Sequence, residues 1–153
     1  MAKRRRSASS ATAETVGIRY IESSALVAAL LERDAAALKS LRIRGRIVTS
    51  ALTIAEAARA ILRARAVGRL SDDQERAAVR ALRRFERGCF LVAVTDAILA
   101  RVRRPFPVEP IRTLDAVHLA TTELLGEPPS LTIVVTRDIR IRENALALGY
   151  TVE

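Results

Sequence analysis

Short apolar segments rich in β-branched residues recur along this chain, and each is followed by a segment with helical periodicity. The segments are IRYIE (18–22), RIVTS (46–50), CFLVAV (89–94) and LTIVVT (131–136), with a shorter one, YTVE (150–153), after the last helix. Apolar runs without polar alternation are typical of parallel strands that are buried on both faces. Their alternation with helices therefore predicts an α/β fold, in which helices cover both faces of a parallel sheet.

Periodicity and capping residues predict the helices between these strands. The first is predicted as one helix over residues 23–41, and the segment LDAVHLATTELLG (114–126) is nearly free of charge, which predicts a largely buried helix. The predicted capping residues are Ser23 or Ser24 for the first helix, Gly68 at the end of the second, the capping-box pair Ser71 and Gln74, and Thr95.

The length of 153 residues, half of them hydrophobic, suffices for one domain with one substantial core. We predict a flexible basic tail over residues 1–16 and a globular domain over residues 17–153. A single cysteine, Cys89, cannot form an intramolecular disulfide, so the chain fits a reducing cytosol, and we expect Cys89 in the core. The uncharged stretch 23–31 is far shorter than the roughly 20 residues of a membrane span, so no membrane association is predicted.

The formal net charge is +9, and only Lys3 and Lys39 among the 26 basic residues are lysines. Arginine binds phosphate bidentately, and counterion release drives the association of basic proteins with polyanions. The charge therefore favours a nucleic acid as partner. An arginine-rich genome would produce the same composition without any ligand.

Four acidic residues lie inside or beside apolar runs, where a carboxylate is costly unless something compensates it. Glu22 ends the first β segment and Asp138 follows the fourth, so both lie where sites form in open α/β sheets. Asp115 lies in the first turn of the buried helix, and Glu56 lies in the first turns of the second helix. Because hard divalent cations are bound by carboxylate oxygens, the four acids together predict one shared metal site.

Each acid also has a purely structural interpretation. Thr53 and Glu56 match a capping box, and Asp115 near a helix N-terminus is favoured by the helix dipole. Asp138 can cap the last helix, and Glu22 can be a solvated strand end. Four such coincidences are less plausible together than one site.

The chemistry of such a site follows from its ligands. Mg²⁺ takes about six oxygen ligands and keeps several waters, so a few carboxylates can hold it. The cation would lower the pKa of a water and neutralise charge on phosphoryl oxygens, and no nucleophilic side chain is required. Without the cation, clustered carboxylates repel one another, so we expect a raised pKa for some of them.

Three basic side chains lie close to these acids in the sequence. His118, the only histidine, follows Asp115 by three residues. It is interpreted either as a general base or, preferably, as a residue that packs in the core or hydrogen-bonds to backbone. Arg112 and Arg137 flank two of the acids. They either bind substrate phosphate or screen the charge of the pocket.

Four sequence blocks resemble, in their order, the signature blocks of the PIN-domain nucleases, and especially of the VapC-type toxins of bacterial toxin–antitoxin pairs. They are YIESSAL (20–26), LTIAEAARAI (52–61), LDAVHLATTELL (114–125) and VVTRDIRI (134–141). The resemblance spans residues 18–153, and the DAVHLA block is its most specific part.

The resemblance implies a three-layer α/β/α sandwich with a five-stranded parallel sheet and an acidic pocket that holds Mg²⁺ or Mn²⁺. The activity it implies is a metal-dependent endoribonuclease that acts as a toxin in the bacterial cytoplasm. Its partners would be an RNA substrate, a cognate antitoxin protein and a second copy of the chain in a homodimer. The implied catalytic and metal-binding residues are Glu22, Glu56, Asp115 and Asp138, with Ser24 and Thr136 in support.

Glu22 departs from the family pattern, which has an aspartate at this position. The additional methylene displaces the carboxylate, and a misplacement of about 1 Å in a catalytic site can cost on the order of 10²-fold in rate. The alternative function is therefore a catalytically weak or inactive PIN-like domain that binds RNA or a protein.

Overall fold

A five-stranded parallel sheet forms the centre of the fold. The computed structural model describes residues 17–42 and 45–153, so the predicted tail over residues 1–16 lies outside the described residues. The strands are β1 (Ile18–Ile21), β2 (Arg46–Ser50), β3 (Phe90–Val92), β4 (Thr132–Val135) and β5 (Thr151–Val152). Their order is β3-β2-β1-β4-β5, and all pairings are parallel. The predicted five-stranded parallel sheet is confirmed.

The helices lie between the strands in the predicted order. They are α1 (Ser23–Val27), which continues into a π-helical turn (Ala28–Glu32), α2 (Ala35–Arg42), α3 (Ala51–Ala66), α4 (Asp72–Gly88), α5 (Asp96–Val102), α6 (Thr113–Glu123) and α7 (Ile139–Ala147). A 3-10 turn (Pro129–Leu131) precedes β4. Within the described part of the chain, no helix is both long and apolar enough to cross a membrane.

Alternate residues of the central strands supply the two apolar layers. Tyr20 and Val134 belong to the cluster that α5, α6 and α7 cover, whereas Ile21 and Val135 belong to the cluster under α1, α3 and α4. Successive side chains of a strand point to opposite faces of the sheet, so both strands are buried on both sides. This arrangement confirms the three-layer α/β/α sandwich.

The predicted caps are confirmed at three helix ends. Ser71 and Gln74 form the capping box of α4, and the hydroxyl of Thr95 accepts a hydrogen bond from the backbone N–H of Ile98 at the start of α5. Gly68 follows the C-cap of α3 with a φ of 72°, a left-handed conformation that glycine adopts without steric cost.

The single helix predicted over residues 23–41 is wrong, because the chain breaks between α1 and α2. Arg33 adopts a left-handed conformation after the π-helical turn, and Asp34 accepts a hydrogen bond from the N–H of Ala37 at 2.8 Å. The apolar period continues through this break, so periodicity alone does not reveal it. Asp34 ahead of three alanines is the capping signal that sequence reasoning missed.

The prediction that residues 89–94 form a buried strand is also wrong. Only Phe90–Val92 is a strand, and it pairs with β2 alone at the edge of the sheet. The side chains of Phe90 and Leu91 are 56% and 40% exposed, and Cys89 is only partly buried rather than in the core. An apolar run predicts a strand, but it does not distinguish an edge strand from a central one.

The loop that leads to α6 is held in place by Asn144, a fully buried residue of α7. Its side-chain oxygen accepts a hydrogen bond from the N–H of Val108, and its amide nitrogen donates to the carbonyl of Val108, both at 2.9 Å. The same amide donates to the carbonyl of Arg140 at 3.0 Å. One side chain therefore fixes the approach to α6.

We expect Asn144→Leu to lower the free energy of unfolding by about 2–4 kcal/mol, since three hydrogen bonds of about 1 kcal/mol each are lost and the N–H of Val108 loses its partner. Urea denaturation measures the change. Glu143→Ala is the control, because the exposed neighbour should change stability by no more than about 0.5 kcal/mol. Equal stabilities of the two variants would show that the buried amide does not hold the loop.

Candidate metal centre

The four predicted acids lie around the carboxyl ends of the two central strands. The strand order reverses at β1, which lies between β2 and β4, and such reversal points are where open α/β sheets form their sites. Glu22 follows β1, and Asp138 follows β4 at the start of α7. Glu56 lies in α3, and Asp115 lies in the first turn of α6.

Glu22 is buried at the start of α1, with only 2% of the residue exposed. One carboxylate oxygen, Oε1, accepts hydrogen bonds from Ser23 Oγ at 2.6 Å and from Ser24 N at 3.0 Å. The other, Oε2, accepts from Thr136 Oγ1 at 2.8 Å and from Ser24 Oγ. Glu22 is thus the N-cap of α1, so the interpretation as a solvated strand end and the prediction of a serine cap are both wrong.

Ser24 and Thr136 connect Glu22 to the loop after β4. Ser24 Oγ accepts a hydrogen bond from the N–H of Arg137 at 2.7 Å, and Thr136 Oγ1 accepts one from the N–H of Asp138 at 3.0 Å. Both predicted supporting residues therefore contact an acid of the site. Their effect is to fix the ends of β1 and β4 to each other.

Glu56 is bonded to His118 and does not form the predicted capping box with Thr53. Ser50 is the N-cap of α3, with its hydroxyl accepting from the N–H of Leu52 at 3.2 Å. Glu56 Oε2 lies 2.8 Å from His118 Nε2. Partial burial alone would raise the pKa of Glu56, but the hydrogen bond with His118 holds that pKa below its usual value.

His118 is buried on α6 and bonds to side chains at both ring nitrogens. Its Nδ1 atom lies 2.9 Å from the hydroxyl of Tyr20, and its Nε2 atom lies 3.8 Å from Glu22 Oε1, in addition to the bond with Glu56. Of the two preferred interpretations, core packing is confirmed, and the ring bonds to side chains rather than to backbone. Tyr20, two residues before Glu22 on β1, was missed by sequence reasoning although its position on the strand placed it near the site.

Asp115 is the acid of the cluster whose charge the protein compensates least. Its Oδ2 atom is buried and has no hydrogen-bond partner among residues 17–42 and 45–153. Burial raises the pKa of Asp115, and the negative charges of Asp138 and Glu22 raise it further. The expectation of raised pKa values in a metal-free acidic cluster is met at this residue.

Asp138 combines the capping position with membership of the acidic cluster. Its Oδ1 atom accepts hydrogen bonds from the N–H groups of Arg140 at 2.8 Å and Ile141 at 3.2 Å, so it caps α7 as one interpretation predicted. Its charge also acts on Asp115. Capping uses only one carboxylate oxygen, which leaves the second for another ligand.

The two predicted substrate-binding arginines differ in their contacts. Arg137 forms an ion pair with Asp34, in which Nε and Nη2 each lie 3.2 Å from a carboxylate oxygen, and this contact lowers the pKa of Asp34 to about 2. Arg112 is exposed at the start of α6, and its charge acts on Asp115. Arg112 is therefore the freer of the two.

The residues present fit a hard divalent cation. Glu22 and Glu56 offer carboxylate oxygens that lie within 4.8 Å of each other and of a ring nitrogen of His118, which is bonded to Glu56. The buried, unpartnered Oδ2 of Asp115 and the electrostatic strain on that residue are what a carboxylate ligand shows before a cation compensates it. Oxygen ligands of this kind suit Mg²⁺ and Mn²⁺.

We expect Asp115→Asn to raise the melting temperature of the chelator-treated protein at neutral pH. The pKa of Asp115 is higher in the folded state than in the unfolded state, so folding stability falls as the pH rises through the interval between those two values. The gain should vanish below about pH 3.9, the pKa of an unperturbed aspartate, because Asp115 is then protonated in both states.

Asp96→Asn is the matched control for this thermal denaturation series, because Asp96 is an exposed aspartate that also lies in the first turn of a helix. It reports the loss of the interaction with the helix dipole alone. A gain from Asp115→Asn that does not depend on pH would contradict the electrostatic explanation.

Comparison with known proteins identifies the family of the chain. The family model described as PIN domain matches residues 19–146. "Ribonuclease VapC35" of Mycobacterium tuberculosis is 36% identical over 137 residues, which are 87% of this chain and 93% of that protein. "Ribonuclease VapC46" of the same species is 38% identical over 135 residues, covering 87% of this chain and 94% of that protein.

Solved structures share the fold at lower identity. PAE2754 from Pyrobaculum aerophilum superimposes with a TM-score of 0.60 at 23% identity, covering 94% of this chain and 88% of that one. The sarcin-ricin loop cleaving toxin VapC20 of Mycobacterium tuberculosis gives a TM-score of 0.60 at 17% identity, covering 87% and 96%. VapBC-1 from nontypeable Haemophilus influenzae gives 0.56 at 14%, covering 89% and 96%. The chain therefore belongs to the PIN-domain family, in its VapC-type branch.

Proposed function

We propose that this protein is a divalent-metal-dependent endoribonuclease and the toxin of a toxin–antitoxin pair. The observation that carries the proposal is the acidic cluster at the ends of β1 and β4, in which a buried carboxylate oxygen of Asp115 has no partner within the described part of the chain. The family and the two relatives named as ribonucleases support the reaction and its RNA substrate. The net charge of +9 suits a polyanionic substrate.

The four acids and Arg112 have different roles in the proposed reaction. Glu56, Asp115 and Asp138 provide carboxylate oxygens at the partly exposed side of the cluster, whereas Glu22 provides them on its buried inner side. A cation held among them would supply an activated water and would neutralise charge on the phosphodiester. Arg112, exposed beside Asp115, is positioned to bind a phosphate of the RNA.

Arg137 has a different proposed role. Its guanidinium is already paired with Asp34, and its N–H donates to Ser24 Oγ. Both contacts hold the loop after β4 against the start of α2 and against α1. We therefore assign Arg137 to the support of Asp138, and contact with RNA would require it to leave Asp34.

The second candidate is a PIN-like domain that binds RNA or protein with little or no catalysis, and Glu22 is the observation that favours it. All four hydrogen bonds that its two oxygens accept come from groups of the protein. A cation must displace at least one of these donors to be bound by Glu22. The two candidate functions therefore differ in how readily a cation replaces one of the hydroxyl groups that donate to Glu22.

The proposed protein partner is an antitoxin with an acidic and apolar segment. A groove of about 460 Å³ between the π-helical turn, α2 and α4 combines an apolar floor with basic side chains. Its lining includes Leu30, Leu31, Leu38, Leu70, Arg33, Arg42 and Arg84. Charge complementarity favours an acidic occupant of this surface.

The homodimer that the family resemblance implies remains a prediction.

Mg²⁺ or Mn²⁺ at ten times its Kd should raise the free energy of unfolding by about 1.4 kcal/mol, because the cation binds only the folded protein. Asp115→Asn should remove this gain, since the variant loses a carboxylate ligand. Thermal denaturation of chelator-treated protein with added metal measures both effects. Asp96→Asn should keep the full gain, and an unchanged melting temperature of the natural chain on metal addition would contradict the site.

RNA cleavage should fall about 100-fold in Asp138→Asn, because a displaced or missing metal ligand misplaces the reacting groups. Glu22→Asp should raise cleavage, since the shorter side chain does not reach all four donors and leaves an oxygen for the metal. A gel assay of labelled RNA with Mg²⁺ and with Mn²⁺ measures the rates. Equal rates in the natural chain and both variants would indicate a contaminating nuclease and would contradict the proposed activity.

A further inference from the structure

A buried hydrogen-bonded chain connects the interior of the sheet with Glu56. It runs from the hydroxyl of Tyr20 to His118 Nδ1 over 2.9 Å and from His118 Nε2 to Glu56 Oε2 over 2.8 Å. Tyr20 lies on β1, His118 on α6 and Glu56 on α3, so the chain links both layers of helices through the sheet. The four acids could hold a cation without this hydrogen-bonded chain.

The donors in this chain follow from what each group can offer. A carboxylate only accepts hydrogen bonds, so the proton between Glu56 and His118 belongs to Nε2. In neutral imidazole the other nitrogen is then an acceptor, and the hydroxyl of Tyr20 donates to Nδ1. All bonds of the chain therefore run in one direction, from Tyr20 toward Glu56.

The burial of the chain makes it rigid. Tyr20 is fully buried, and its ring meets the His118 ring edge-on, at 64° with 6.2 Å between the centroids. The His118 side chain is 2% exposed, whereas that of Glu56 is 27% exposed. A fixed imidazole thus holds a side chain that reaches toward solvent and would otherwise sample several rotamers.

We propose that Tyr20 and His118 are positioning residues that fix which carboxylate oxygen of Glu56 is presented to the cation. The inference rests on the proposed metal site and adds to it two residues outside the four acids. Holding Oε2 on the imidazole leaves Oε1 as the oxygen for the metal. Hydrogen-bonded partners of metal ligands have this effect in general, and their loss costs about 10–100-fold in metal affinity.

The first test is calorimetric titration with Mn²⁺, which needs no RNA and no turnover. We expect Tyr20→Phe to raise the Kd for Mn²⁺ about 10-fold, because His118 loses the bond that fixes its ring. Tyr150→Phe is the matched control: Tyr150 is the other tyrosine of the chain and lies buried in the same apolar cluster, and its Kd should be unchanged. Melting temperatures verify that each variant is folded.

Substitutions of His118 separate positioning from packing. The amide N–H of glutamine can still donate to Glu56, whereas leucine fills space without donating. His118→Leu should therefore raise the Kd for Mn²⁺ about 10–100-fold, and His118→Gln should recover part of the loss. Equal effects of the two substitutions would show that His118 acts only through packing and would overturn the proposal.

The single histidine also gives a spectroscopic readout, because an NMR spectrum of ¹⁵N-labelled histidine contains His118 alone. We expect the proton on Nε2 in the natural chain and a mixture of tautomers in Tyr20→Phe and in Glu56→Gln. A proton on Nδ1 in the natural protein would show that the hydrogen bonds do not run from Tyr20 toward Glu56 and would overturn the proposal.

The outcomes distinguish this inference from the proposed function. If the natural chain binds Mn²⁺ and Tyr20→Phe binds it with the same Kd as Tyr150→Phe, the positioning role is wrong while the metal site stands. If the natural chain binds neither Mn²⁺ nor Mg²⁺, the metal site is wrong and the positioning role is lost with it.

Discussion

The buried carboxylate of Glu22 is the group on which the geometry of the site depends. A buried charge without donors is very costly, so the ends of β1 and β4 and the start of α1 are held where their donors reach it. Ser24 and Thr136 donate to Glu22 and at the same time accept the N–H groups of Arg137 and Asp138. The position of Asp138 is therefore set by the same carboxylate that ends the first strand.

This arrangement divides the acids into two kinds. Glu22 and Glu56 are compensated by hydroxyl, backbone and imidazole donors, so their charges are partly balanced without a cation. Among residues 17–42 and 45–153, Asp115 has no donor for its buried oxygen, and burial and the charges of Asp138 and Glu22 raise its pKa despite the opposing effects of Arg112 and His118. The free energy gained from a cation would therefore come mainly from Asp115.

The sequence predicts most of the fold because the parallel strands are apolar on both faces and the helix caps are local signals. It also predicts the four acids, since their positions at strand ends and helix starts bring them to one edge of the sheet. It does not predict the break at Arg33, because the apolar period continues across the π-helical turn. Nor does it predict the partner of Glu56, because His118 lies 62 positions away, on a helix of the opposite layer, and only the three-dimensional fold brings the two side chains together.

The additional methylene of Glu22 does not by itself prevent metal binding. Three of its four donors are the hydroxyls of Ser23, Ser24 and Thr136, and hydroxyls are both donors and acceptors that can rotate. A divalent charge attracts a carboxylate more strongly than a neutral hydroxyl does, so a cation can replace one hydroxyl donor without movement of the backbone. The fourth donor, the N–H of Ser24, keeps Glu22 at the start of α1 during this exchange. The hydroxyl-rich surroundings of Glu22 therefore favour a working nuclease over a domain that only binds.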